Sequence, residues 1–212
     1  MMKTNILQIS NYLDELFIDP KCELEYNKDY ELLIAVMMSA QTTDKGVNKV
    51  NRVLFKKYDS LEKLSNANIE DIKSIIKPIG NYNKKSENII NIAKSLINNF
   101  NGIIPKNHEE LEKLPGVGRK TANVVLGELY NIPSFPVDTH IIRVSNRLNL
   151  VKSKDPIIIE KKLMKLFPKE NWIKLHKQLV LFGRYHCKAI KPNCRNCKLN
   201  NICKEKCKVL EK

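Results

Sequence analysis

Residues 114–123 read LPGVGRKTAN. Two glycines stand two positions apart between two stretches of helical apolar spacing. Upstream, Asn107 and Glu110 have the spacing of a capping box, which opens a short helix reaching Leu114. Downstream, the pattern runs as a helix from about Arg119 to Tyr130. Gly116 and Gly118 are expected to adopt backbone conformations that side chains forbid. They also leave amide N–H groups uncovered at the start of the second helix, where the positive end of the helix dipole adds to them. The turn Gly116-Val117-Gly118-Arg119 therefore forms a phosphate site. Built from backbone, it holds a nucleic-acid strand without reading its bases.

The same helical period extends through most of the chain. Residues 31–40, ELLIAVMMSA, are apolar nearly all round and predict a buried central helix. Residues 45–57 place Val47, Val50, Leu54 and Phe55 on one face. Further helices are predicted at 69–76, before Pro78 and Gly80, and at 85–100, before Asn101-Gly102. Beyond the loop NIPSFPVD (131–138) lie helical patterns near 139–148, 156–167 and 171–183, with Asp155-Pro156 as a cap and first-position proline. The N-terminal segment reads as an amphipathic helix with Ile6, Ile9, Leu13, Leu16 and Phe17 on one side. Alternating strand patterns are absent. The expected fold is all-α with around ten helices, and the proline loop at 131–137 is the expected crossing between domains.

A net charge of +14 and a pI near 9.5 point to an anionic partner. Part of that charge is attributable to the Lys-, Asn- and Ile-rich composition an AT-rich genome imposes. No stretch reaches the roughly 18 apolar residues of a membrane span, and the N-terminus has no signal-peptide core. A soluble, cytoplasmic chain acting as a monomer is expected.

Four cysteines, Cys187, Cys194, Cys197 and Cys203, follow the spacing C-x6-C-x2-C-x5-C within 17 residues. Four thiolates suit zinc or an iron–sulfur cluster. Only Cys194 and Cys197 form the short knuckle common in zinc sites, so the spacing favours a cluster and leaves zinc open; disulfides fit least in a cytosolic chain. Cys22 and Cys207 are expected to be plain residues. From Cys187 to Lys212 there are eight Lys/Arg against two acids. A pinned, basic segment suits phosphate.

LPGVGRKTAN between two helices, VDTHIIRVSNRL at 137–148, ELLIAVMMSAQTTD at 31–44, FGRYHC at 182–187 and the four cysteines together resemble the endonuclease III family, in the iron–sulfur branch of the helix–hairpin–helix DNA glycosylase superfamily. The resemblance covers essentially the whole chain. It implies two all-α lobes: a six-helix barrel at 23–132, with the helix–hairpin–helix at about 107–130, and a domain of residues 1–22 plus 133–212 in which the four cysteines hold a [4Fe–4S] cluster. The implied partner is double-stranded DNA with a damaged base or abasic site, and the implied activity is that of a bifunctional DNA glycosylase and AP lyase on oxidised pyrimidines, with the base flipped out of the stack.

Residue by residue, the resemblance implies Lys120 as the nucleophile that attacks C1′, forms a Schiff base and leads to β-elimination. An amine is required because only nitrogen gives an iminium electron sink. It implies Asp138 as the acid that stabilises positive charge on the sugar and helps move protons, although an Asp before a helix is also an ordinary N-cap. Gln41 fills the space left by the flipped base. Asn81 stands where the family carries an apolar wedge, which weakens a wedge role here. Asp44 either shares in the family segment or caps the following helix. Lys188 and Lys191 grip phosphates from the loop between Cys187 and Cys194. Two other readings stand beside this one. The adenine-mismatch glycosylase branch lacks the hairpin lysine and adds a C-terminal domain. A non-catalytic DNA-binding iron–sulfur protein would not need Lys120 and Asp138.

Overall fold

The computed structural model describes residues 2–206 and 208; Cys207 lies outside them, as do Glu211 and Lys212 of the basic tail. The described residues contain no strand. They form α1 (Met2–Leu16), α2 (Asp29–Met38), α3 (Asp44–Lys57), α4 (Leu61–Ser65), α5 (Ile69–Ile76), α6 (Tyr82–Phe100), α7 (His108–Leu111), α8 (Arg119–Tyr130), α9 (Thr139–Arg147), α10 (Pro156–Leu166) and α11 (Trp172–Leu181). A 3-10 turn at Lys169–Asn171 precedes α11, and a π-turn at Phe182–His186 follows it. No helix among the described residues is long and apolar enough to cross a membrane.

The chain divides into two compact units, Cys22–Ile132 and Met1–Lys21 with Pro133–Lys212. In the first, α2 is the centre: every residue from Tyr30 to Met38 is buried. Helices α3, α6 and α8 pack against it. Each fully buried Leu, Ile or Met contributes roughly 1.5–3 kcal/mol, so this one helix supplies a large share of the unit's stability. The helices around it start on local signals. Thr43 caps α3 by accepting from Gly46 N–H, Ser60 caps α4, Asn68 caps α5, and Asn107 caps α7 by accepting from Glu110 N–H at 2.9 Å. Asp44 is thus the first residue of α3 rather than its cap. Helix α7 is shorter than expected and ends at Leu111, while Leu114 is buried beyond it. Helix α6 begins three residues earlier than expected.

In the second unit, Ile9 and Leu13 of α1 are fully buried with Leu175, Leu179 and Phe182. Leu16 is 37% exposed, against the sequence expectation. The buried stripe follows residues 9, 12 and 13, and Leu16 falls at its edge. Gln178, itself buried, donates from Nε2 to Asp14 Oδ1 and Phe17 O, both at 2.9 Å, which fixes α1 on α11. Helix α1 also clips the cysteine segment: Tyr12 Oη donates to Asn196 O at 2.9 Å and Gln8 Nε2 to Lys198 O at 3.0 Å. Leu199 anchors that segment in the core.

Candidate functional site

The hairpin lies in the Cys22–Ile132 unit, with α7 and α8 packed together across the glycine turn. Gly116 has φ +75°, and a Cβ there would stand 2.2 Å from Asn88 Nδ2. Conformation and space both require glycine. Gly118 differs from the sequence expectation. It is the N-cap of α8 with φ −101° and ψ 178°, extended backbone that any residue adopts, and a Cβ would meet no atom within 4 Å. Val117 turns its side chain into the core, and its N–H bonds Leu114 O at 3.1 Å, so this amide is already engaged. Arg119 and Lys120 are exposed in the first turn of α8, directly after the glycines.

Two more segments of the same unit carry unusual backbone. Gln41 and Asn81 are both exposed with φ 57°. Asn81 is the N-cap of α6, yet its side chain makes no capping bond. Left-handed backbone tolerates Asn better than a branched or bulky apolar residue, which is a local reason for Asn at this position. Six non-glycine residues have positive φ among those described; four are Asn, and the other two are Gln41 and Lys191. Both were singled out from sequence as DNA contacts.

In the other unit, Asp138 is half-buried and caps α9, its Oδ1 accepting from Ile141 N–H at 2.8 Å. The cap engages Oδ1 alone. Further along α9, His140 Nδ1 meets Arg143 Nη2 at 3.2 Å. Burial pushes this imidazole below its usual range; Arg143 and Arg184 add to that, and Asp138 opposes it. A Cβ on Gly183 would lie 2.7 Å from His140 Cβ, so the π-turn approaches α9 as closely as glycine allows.

Helix α9 then holds the cysteine segment. Arg143 donates to Gly183 O at 2.7 Å and Cys187 O at 3.2 Å. Arg147 donates to Lys188 O at 2.7 Å, Cys187 Sγ at 3.5 Å and Glu205 Oε2 at 2.5 Å. The sequence reading missed these two arginines. Their spacing of four on one helix was the available signal. Cys187, Cys194, Cys197 and Cys203 are free thiols that line one hollow with Phe182 and His186. Burial pushes the Cys187 and Cys197 thiols up, and Arg147 opposes this at Cys187. Among the described residues, no group of three or more His, Cys, Asp or Glu side chains is placed to hold a metal ion. Lys188 and Lys191 are exposed on the loop between the first two cysteines, Lys191 with φ 49°.

Residues 34–169 match the family of HhH-GPD superfamily base excision DNA repair proteins. The chain is 46% identical over 209 residues to endonuclease III of Haemophilus influenzae, covering 99% of each chain. It is 44% identical to that of Bacillus subtilis, covering 95% of this chain and 94% of the relative. The chain belongs to the endonuclease III family. A solved trapped endonuclease III–DNA covalent intermediate matches with a TM-score of 0.92 at 44% identity, covering 96% of both chains. A thermostable thymine-DNA glycosylase, at 24% identity and a TM-score of 0.78, shares the fold. The base excision repair family model spans the hairpin and α9 and stops before the cysteines, whereas endonuclease III relatives align across nearly the full length.

Proposed function

We propose that this DNA glycosylase and AP lyase, acting as a monomer on duplex DNA, removes oxidised pyrimidines with Lys120 as nucleophile and Asp138 as its acidic partner in the chemistry. The observation that carries the reading is Lys120 itself: an exposed lysine in the first turn of the hairpin's second helix, in a chain 44% identical to an enzyme solved as a covalent intermediate with DNA. The Lys120 nitrogen lone pair forms a bond to C1′ as the C1′–base bond breaks, and the base leaves with that electron pair. The nitrogen loses a proton, the sugar ring opens, and an iminium forms at C1′. Loss of a C2′ proton then expels the 3′ phosphate, which cuts the strand. Asp138 offers negative charge where the sugar becomes positive. Borohydride reduces the iminium and freezes the adduct. Trapping on duplexes carrying different oxidised bases tests the nucleophile and the substrate class together. Absence of adduct on every damaged duplex would count against both.

Gln41, Asn81 and the hairpin meet the DNA in this reading. Gln41 fills the place of the flipped base, and its exposed side chain on left-handed backbone supports that role. Gly116, Gly118 and Arg119 hold phosphate, with Val117 confined to shaping the turn. Lys188 and Lys191 add phosphate contacts from the cysteine segment. These contacts predict two different signatures. Lys191→Asn, chosen because Asn accepts left-handed backbone, should lower the slope of log K against log salt by about one and weaken all sequences alike. Gly118→Ala should change stability by no more than about 1 kcal/mol, as expected of an N-cap change with open space, yet weaken duplex binding because the new methyl stands where phosphate approaches. Full binding by Gly118→Ala would remove the hairpin contact, and an unchanged slope would remove Lys191.

The cysteine segment fits a [4Fe–4S] cluster. Four thiols line one hollow, and the arginines Arg143 and Arg147 offset negative charge there. Cys187, Cys194, Cys197 and Cys203 would be its ligands. With four thiolate ligands a cluster has no open position for substrate, so its contribution is to pin Lys188 and Lys191 in place. Purified protein should hold iron and acid-labile sulfide in equal amounts, and Cys203→Ser should reduce both. Zinc in their place would reject the cluster.

A further inference from the structure

Lys85 in α6 is a lysine only 4% exposed. Among the described residues no acid forms an ion pair with it. Its Nζ donates to Ala40 O at 2.8 Å and to Thr42 Oγ1 at 3.1 Å. The ammonium therefore grips the chain on both sides of Gln41, whose backbone is left-handed and whose side chain is exposed. That conformation is costly for Gln and persists only when the surroundings enforce it. A buried ammonium is also costly unless its donors are satisfied, so the 40–42 turn and Lys85 stabilise each other. Neighbouring positions on the same face of α6 reinforce the pattern. Asn81 stands at the N-terminal boundary of the helix, Lys85 follows at i+4, and Asn88 at i+7 lies against Gly116 of the hairpin. One helix face thus sets the register of three segments that meet DNA in the reading above.

We infer that Lys85 is a positioning residue that holds the 40–42 turn in the shape from which Gln41 enters the duplex. The inference rests on the proposed insertion of Gln41. It separates from general stabilisation because it concerns only the step in which a base is displaced from a duplex. Cleavage at an abasic site in a single-stranded oligonucleotide has no orphaned partner base to occupy.

The test measures two rates under single-turnover conditions: base release from a damaged duplex, and cleavage of the single-stranded abasic substrate. Lys85→Met should slow the first about 10- to 100-fold, the scale expected when a positioned group is misplaced by about 1 Å, and change the second less than about twofold. Thr42→Val, which removes one acceptor from the turn and leaves the lysine in place, should shift the same ratio in the same direction by a smaller factor. It serves also where Lys85→Met does not fold. In a Gln41→Ala background, Lys85→Met should add less than about twofold, because the two residues act as one unit. An unchanged duplex rate in Lys85→Met, an equal fall in both rates, or a full additional loss in the Gln41→Ala background would overturn the inference alone. A Gln41→Ala enzyme with the normal duplex rate would overturn the insertion reading and this inference with it.

Discussion

Lys120→Gln should lose borohydride trapping altogether and lower strand cleavage on damaged duplex by about 10⁶-fold, the scale seen when a nucleophile is removed. The fold gives little reason for any other effect. Lys120 is exposed in the first turn of α8. Gln and Lys have nearly equal helix propensity, so stability should stay within about 0.5 kcal/mol of the parent. Gln keeps the length of a polar side chain but has no basic nitrogen, so it can form neither the bond to C1′ nor the iminium. The competing role for this residue is a phosphate contact, natural in a chain of net charge +14. That role predicts a different result: duplex binding falls by about one counterion's worth of salt slope, while trapping on the bound fraction persists. Gel analysis of trapped adduct and a salt titration of binding, run on the same variant, separate the two. Persistent adduct would remove Lys120 as the nucleophile.

The elements legible in the sequence are those set by local chemistry. Helix starts at 69, 108, 139 and 156 follow from side-chain oxygens that accept backbone N–H bonds within three residues, an interaction complete inside the segment itself. The central helix α2 was legible because apolar residues surround it on all sides. Helix α4 was not, since five residues with one Ser cap carry too little periodicity to register. The hairpin shows the same division inside a single motif. Both glycines are visible, but only the coordinates separate Gly116, pressed against Asn88 of α6, from Gly118, which faces open space. Arg143 and Arg147 read as ordinary polar residues of α9, because the main-chain carbonyls they hold, Gly183 O and Lys188 O, lie about 40 residues away and leave no trace in composition. Left-handed backbone at Gln41 and Lys191 was equally hidden. Asn and Gly announce that conformation, whereas Gln and Lys adopt it only under tertiary constraint, and for Gln41 the constraint comes from Lys85.

Asp138 poses the sharpest separation between structure and chemistry, because the coordinates already give it a structural task. Its Oδ1 caps α9 by accepting from Ile141 N–H at 2.8 Å. Asn is as good an N-cap as Asp, whereas Ala is not. Asp138→Asn should therefore keep the parent stability to within about 0.5 kcal/mol, while Asp138→Ala should lose about 1 kcal/mol. If the negative charge assists the reaction, both variants lose turnover to a similar extent, by about 10²- to 10³-fold, the range associated with removing one preorganised electrostatic contact. If Asp138 is only a cap, the Asn variant keeps full activity and the Ala variant loses only what its lower stability costs. Thermal unfolding and single-turnover base release on the two variants decide between these patterns. Duplex affinity supplies an independent check. Removing a negative charge that faces polyanionic DNA in the proposed reading should leave binding of Asp138→Asn unchanged or tighter, so a fall in rate without a fall in affinity places the defect in the chemical step. A parallel loss of affinity and rate would return Asp138 to the role of shaping the surface.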